Sequence, residues 1–261
     1  MKVTLITGAS SGIGEAFARK LAASDHDLVL VARSEKKLHE LCDELMLRHK
    51  IFAHYIPVDL LGGNALEKIF SETEKHNFEV DWLINNAGFG SMGDFAALDG
   101  GTEANIVRLN VLMLVTLTHK YIAGMRERQR GTIINVSSAA GFQPVPYMAT
   151  YAATKAFVTS FSEALAEENK DHGVRIMAIC PGPTETNFFR AARISEPFGV
   201  KGVQSAEQVV KAALKGLKKG KTTVVSGWAN YAGAVLGRVV PTSVTNKVIA
   251  SSLRDRIQEN R

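Results

Sequence analysis

Seven short apolar runs, at residues 3–7, 28–32, 52–57, 82–85, 132–136, 174–179 and 222–225, recur along the chain with longer mixed stretches between them. Most of these runs are continuously apolar rather than alternating, which suits strands buried on both faces, as in a parallel sheet covered by helices. The stretches between them, at 12–23, 34–49, 64–75, 102–128, 151–171 and 206–219, carry apolar residues at helical spacing. The pattern predicts a doubly wound α/β fold: a parallel sheet of about seven strands with helices on both faces, Rossmann-like in layout. No repeat, low-complexity tract or Pro/Ser-rich linker divides the chain, so residues 1–261 are expected to form a single domain. Two regions depart from the rhythm. Residues 184–203, where Phe188, Phe189 and Phe198 stand among polar neighbours, are expected to cover a substrate. The extension 228–261 spaces Tyr231, Val235, Leu236, Val239 and Val240 loosely along one helical face, read as a core or subunit packing surface with peripheral membrane contact as the alternative.

Composition narrows the class. With 261 residues, 46% hydrophobic and 22% charged, the chain can bury a substantial core, which argues against disorder. A formal charge of +5 and a pI near 9.2 admit anionic ligands. The densest basic patches, Arg126-Glu-Arg-Gln-Arg130 and Lys215-Gly-Leu-Lys-Lys-Gly-Lys221, fall at expected helix ends, where cations complement the helix dipole, so no nucleic-acid partner is expected. Cys42 and Cys180 form no C-x-x-C pair, and the histidines show no H-E-x-x-H or comparable spacing, so no metal is expected. Lys2 to Thr7 runs straight into glycines without a signal peptide's apolar core, and no segment reads as the roughly 20 apolar residues of a membrane span. A cytoplasmic protein without a transmembrane segment is the expectation.

The chemistry enters with the loop after the first expected strand, Thr7-Gly-Ala-Ser-Ser-Gly-Ile-Gly14. Glycines allow a backbone to approach a pyrophosphate closely, and the open amides and dipole of the following helix favour its negative charge. Gly8, Ser10, Ser11, Gly12, Ile13 and Gly14 are therefore candidate cofactor contacts. After the second strand, Val31-Ala32-Arg33-Ser34 offers no acid for ribose hydroxyls, whereas the guanidinium of Arg33 suits a 2′-phosphate. NADP(H) is the expected cofactor; the competing reading makes Arg33 a cap on a surface turn. Further on, Tyr151 and Lys155 are four residues apart on an expected helix, which places them on one face. Such a pair also occurs on ordinary helix surfaces.

Taken together in order, these motifs resemble the short-chain dehydrogenase/reductase family over about residues 3 to 186. Besides the glycine loop, the likeness includes Asp59 after the third strand, Asn85-Asn-Ala-Gly88 after the fourth, Asn110, Ile134-Asn-Val-Ser-Ser138, Tyr151 with Lys155, and Pro181-Gly-Pro-Thr184 with Thr186 beyond. The resemblance implies an oxidoreductase that moves a hydride between NADP(H) and a carbonyl or alcohol, with Asn110, Ser138, Tyr151 and Lys155 as the catalytic set. Tyr151 is expected to exchange the proton, its phenol pKa lowered by the Lys155 ammonium, while Ser138 holds the substrate oxygen. Lys155 is also implied to hold the nicotinamide ribose, and Asn110 to anchor a water chain. Asp59, Asn86, Ala87, Gly88, Pro181, Gly182, Thr184 and Thr186 are implied as further cofactor contacts. Read singly, Ser138 could cap a turn and Asn110 could satisfy backbone groups. The proline-stiffened loop 141–147, with Phe142, Val145 and Tyr147, together with Phe188 and Phe189 suggests an apolar entrance for a hydrophobic ketone or aldehyde; the competing reading makes them packing residues under a short loop. A homodimer or homotetramer is carried over from the family. The rival reading is an NADP(H)-binding sensor or scaffold without catalysis.

Overall fold

In the computed structural model, which describes residues 1–186 and 203–259, each apolar run becomes a strand. The strands are β1 (Lys2–Thr7), β2 (Leu28–Ala32), β3 (Ala53–Pro57), β4 (Glu79–Asn85), β5 (Gly131–Val136), β6 (Val174–Cys180) and β7 (Thr223–Val225). They form one parallel sheet in the order β3-β2-β1-β4-β5-β6-β7. The apolar continuity of the runs has a simple origin. Leu28 and Leu30 join the core on one side of the sheet while Val29 and Val31 join the core on the other, and Ile84 with Leu83, or Ile134 with Ile133, divide the same way.

The helices are α1 (Gly12–Ala22), α2 (Glu35–His49), α3 (Ala65–Lys75), α4 (Gly100–Val107), α5 (Leu114–Glu127), α6 (Ala149–Asn169), α7 (Ala206–Lys218), α8 (Trp228–Val239) and α9 (Thr242–Glu259). α1, α2 and α7 cover one face through Phe17, Leu21, Leu38, Leu45 and Val209, all essentially inaccessible to solvent. α3, α5 and α6 cover the other through Ile69, Leu117, Met125 and Ala166. The expected doubly wound layout is thus present. The chain order reverses direction between β1 and β4, so the crevice at the carboxyl ends of these strands lies at the topological switch point, where such sheets bind ligands.

Two readings of the sequence change here. The expected single helix at 102–128 is two helices joined by a π-helical turn, Arg108–Met113. The composite Gly100–Glu127 is also long and apolar enough, by length and composition, to cross a membrane, which the apolar runs alone had not suggested. Its Ile106, Asn110, Met113, Leu117 and Met125 are buried. Phe188, Phe189 and Phe198, with most of the expected substrate cover, lie outside the described residues, as do the side chains of Val235, Leu236 and Val239.

Candidate active site

The glycine loop leaves β1 at Thr7, turns at Gly8 with φ 65° and enters α1 after Gly12 with φ 58°. A side chain at Gly8 would stand 2.8 Å from Asn86 Nδ2, and one at Gly12 2.9 Å from Thr186 Cγ2. At Gly14 it would run into the carbonyl oxygen of Gly8. Glycine is therefore required for closeness as well as for conformation. Ser11 precedes α1 without any side-chain cap, so the first-turn amides of Gly12, Ile13 and Gly14 remain open to an anion.

Asn86 braces this loop by donating through Nδ2 to the carbonyl oxygens of Thr7 (2.9 Å) and Gly8 (3.3 Å). The Thr7 hydroxyl in turn accepts from the amides of Asn86 and Ala87, both at 3.0 Å. Below them, Asn85 donates to Asn135 Oδ1 (2.9 Å) and Thr118 Oγ1 (3.0 Å), tying β4 to β5 and α5 in the dry interior. Asn85 Oδ1 itself finds no partner among the described residues, but the two bonds its amide donates fix one register of β4 against β5.

From this loop a cavity of about 790 Å³ runs along the strand ends. Its wall includes Gly8, Ser10, Ser11, Gly12, Ile13, Arg33, Asp59, Asn86, Ala87, Gly88, Ser138, Tyr151, Lys155, Pro181, Gly182, Thr184 and Thr186. All of these were named from sequence as cofactor contacts, as catalytic (Ser138) or, for Tyr151 and Lys155, as both; Gly14 and Asn110 lie just behind the wall. Arg33 is exposed at the mouth. Beside it stands Lys37, which sequence reasoning missed; its signal was the i, i+4 spacing from Arg33 into the first turn of α2. Nearby Arg19 is already paired with Glu15 at 2.8 Å and Glu44 at 2.6 Å. Among the described residues, Arg33 and Lys37 make no ion pair, which leaves them as the available cations at this end.

The other end is buried. Tyr151 and Lys155 are 8% and 5% exposed, on the same face of α6, with the Lys155 ammonium 5.7 Å from the phenol ring centre. Lys155 donates to the carbonyl oxygen of Val136 at 2.9 Å, so the end of β5 aims it. Ser138 hydrogen bonds with Tyr151 and also accepts from the amide of Ala140 at 3.1 Å, capping the short turn Ala139–Phe142. Both readings of Ser138 are therefore present at once.

Asn110 sits in the π-helical turn, a feature that recurs at functional sites. It donates to the carbonyl oxygen of Phe89 and to Thr154 Oγ1, both at 3.0 Å, and accepts from the Phe89 amide at 3.1 Å. A side chain at Gly88 would stand 2.8 Å from Asn110 Oδ1 and 3.5 Å from Lys155 Nζ, so glycine keeps these two groups close. Thr154, missed in the sequence, is what locks Asn110 to α6. Asp59 turns its carboxylate back onto the Leu61 amide at 3.1 Å, and Thr184 bonds the Gly182 carbonyl at 2.9 Å.

Electrostatics correct one expectation. Burial pushes the Tyr151 phenol up to about 12, a rise that the Ser138 hydrogen bond only partly opposes. Burial also pulls Lys155 down to about 8. Desolvation penalises the charged form of each group, and at this separation the ammonium does not overcome it.

Next to Tyr151 the wall turns apolar through Ala140 and Met148, with Met92 and Val145 packed against the same cluster. Tyr147 holds the loop with φ 66°, and its hydroxyl accepts from Arg254 Nε of α9 at 3.1 Å. Gly237 of α8 lies against Gln143, and Asn230 against the backbone of Gly182. The extension thus packs on the substrate loop through Asn230, Gly237 and Arg254, while Tyr231 of the apolar face read from the sequence is exposed.

This arrangement of a glycine cradle, an anion-ready helix start and a buried Tyr-Lys pair with a half-buried serine suits a nicotinamide dinucleotide and a reducible carbonyl. Comparisons agree. The short chain dehydrogenase family model matches residues 2–197. The mouse very-long-chain 3-oxoacyl-CoA reductase is 32% identical over 98% of this chain and 82% of its own length. A short-chain dehydrogenase from Sphingobium yanoikuyae, solved in complex with NADPH, superposes with a TM-score of 0.82 at 30% identity, covering 92% of this chain and 96% of that one. A Comamonas testosteroni alcohol dehydrogenase specific for bulky-bulky ketones gives 0.78 at 28% identity, covering 93% and 94%. The chain belongs to the short-chain dehydrogenase/reductase family, oxidoreductases acting on carbonyl and alcohol groups.

Proposed function

We propose that this enzyme reduces a bulky hydrophobic ketone, foremost a 3-oxoacyl thioester, at the expense of NADPH. The observation that carries the reading is one continuous cavity leading from exposed Arg33 and Lys37, unpaired among the described residues, to buried Tyr151 beside an apolar wall. The two cations suit the 2′-phosphate that distinguishes NADPH from NADH. Phe89, Leu109 and Met148 on the cavity wall suit an acyl chain or another large apolar substituent. The relative that reduces very-long-chain 3-oxoacyl-CoA, the bulky-ketone dehydrogenase and the NADPH complex support the same choice.

A nicotinamide cofactor supplies the hydride when bound. Ser138 donates a hydrogen bond to the substrate oxygen and orients the carbonyl. Tyr151, whose phenol carries its proton at neutral pH and is held there more firmly by burial, hands that proton to the oxygen as negative charge develops. Lys155 steadies the phenolate left behind when it carries its own proton. Asn110, held from three sides, fixes the backbone of Phe89 at the cavity edge and keeps α4 and α6 together around the site.

The test is steady-state turnover of the full chain with NADPH and a series of 3-oxoacyl-CoA substrates of increasing length, beside bulky aryl ketones. Turnover that improves with apolar length is expected. No turnover of any member despite saturable NADPH binding would remove the substrate assignment and favour a sensor.

A further inference from the structure

Away from the cleft, at the amino-terminal part of the edge strand β3, three metal-ligating side chains converge. His54 projects from β3, while Glu72 and His76, four residues apart, share one face of the last turn of α3. Glu72 Oε2 is 3.5 Å from His54 Nε2 and 3.4 Å from His76 Nε2, and all three ligand atoms lie within 4.8 Å of one another. These separations are long for hydrogen bonds, and His54 Nε2 is buried without a hydrogen-bond partner among the described residues. They do match ligand spacing: bonds of roughly 2.0–2.1 Å to a tetrahedral ion place neighbouring ligands about 3.3–3.4 Å apart. Two of the three edges already have that length. The third closes if the imidazoles approach by about 1.4 Å at most.

The surroundings hold both rings in place. His76 stacks on Phe78 at 5.1 Å and 15°, and His54 leans on the same ring at 5.7 Å. Lys75 lies 3.7 Å from Glu72, but on the other carboxylate oxygen, and its side chain is 70% exposed. We propose that His54, Glu72 and His76 bind one divalent first-row transition ion, Zn²⁺ foremost, with water completing the coordination. Two imidazoles and a carboxylate suit zinc, nickel or copper rather than the oxygen-seeking calcium or magnesium. Such an ion clamps the carboxyl end of α3 to the sheet edge.

Calorimetric titration of the full chain with Zn²⁺ alone should show one saturable site and a matching rise in Tm. Co²⁺ in its place should give the visible absorption of a four-coordinate nitrogen and oxygen site. His76→Ala and Glu72→Gln should each weaken binding by more than about tenfold, since each removes a first-sphere ligand. His119→Ala, outside the cluster, should leave binding unchanged, and NADPH-dependent turnover should persist in all three variants. Zn²⁺ affinity unaltered in His76→Ala and Glu72→Gln, or no saturable site in the parent, would overturn the proposal.

Discussion

The two ends of the active-site cavity follow different physics. Around Arg33 and Lys37 the charged groups stand in water, the neighbouring arginine is occupied by Glu15 and Glu44, and the glycine loop contributes backbone amides. Around Tyr151 and Lys155 the ionisable groups are buried, backed by Asn110 and Thr154, and aimed by a strand carbonyl. An exposed charge acts on a ligand weakly, through a screened field. A buried one has its protonation set by desolvation before any ligand arrives, and each fraction of an ångström matters more because the local dielectric is low. The exposed end can therefore change cofactor preference through one side chain at little structural cost, whereas the buried end resists substitution.

Three substitutions sharpen this contrast, beginning with the largest effect. Tyr151→Phe removes only the hydroxyl and should lower turnover by about 10²- to 10⁴-fold, while fluorescence titration still reports near-parental NADPH binding. Turnover within a few-fold of the parent would deny Tyr151 the proton transfer.

Lys155→Met should also abolish turnover, yet stabilise the fold. Lys155 is held at about 8 against an ordinary 10.5, so between those pH values the folded chain binds fewer protons than the unfolded one, and stability rises with pH across that window. Below pH 8 the desolvation penalty is fully present, worth up to about 3 kcal/mol, and the methionine variant escapes it while losing the bond to Val136. Denaturant unfolding at pH 7 should show the variant more stable, without the parent's gain between pH 8 and 10.5. A variant weaker than the parent at pH 7 would mean that the strand carbonyl compensates the ammonium in full.

The smallest effect belongs to Arg33→Ala. It should reduce the NADPH-over-NADH affinity ratio by about tenfold, leaving a residual preference carried by Lys37 and erased by added salt. Equal affinities for the two cofactors in the parent would dismiss the 2′-phosphate assignment.

Much of the fold was readable because a strand buried on both faces must be apolar at consecutive positions, and the seven runs obey that rule with boundaries shifted by a few residues at most. Much of the site was readable too, since glycines needed for backbone closeness and a Tyr-Lys pair at helical spacing are local patterns. Thr154 and Lys37 escaped notice because their partners, Asn110 and the mouth of the cavity, come from other parts of the chain. The π-helical turn was hidden because a one-residue widening leaves the apolar periodicity almost intact. His54, Glu72 and His76 passed unremarked for a similar reason: only the helical pair is local, and the third ligand comes from a strand.

Local sequence by itself determined the alternation of buried strands and covering helices, the anion-ready loop between Thr7 and Gly14, the missing acid after the second strand and the shared face of Tyr151 and Lys155. Those features depend on side-chain period and backbone freedom, which neighbours along the chain dictate. Tertiary structure alone decided that the phenol is raised rather than lowered, that the carboxyl-terminal helices brace the substrate loop and that two histidines meet a glutamate at the sheet edge. Desolvation and ligand spacing depend on what packs around a group in three dimensions, and that packing joins segments far apart in the chain.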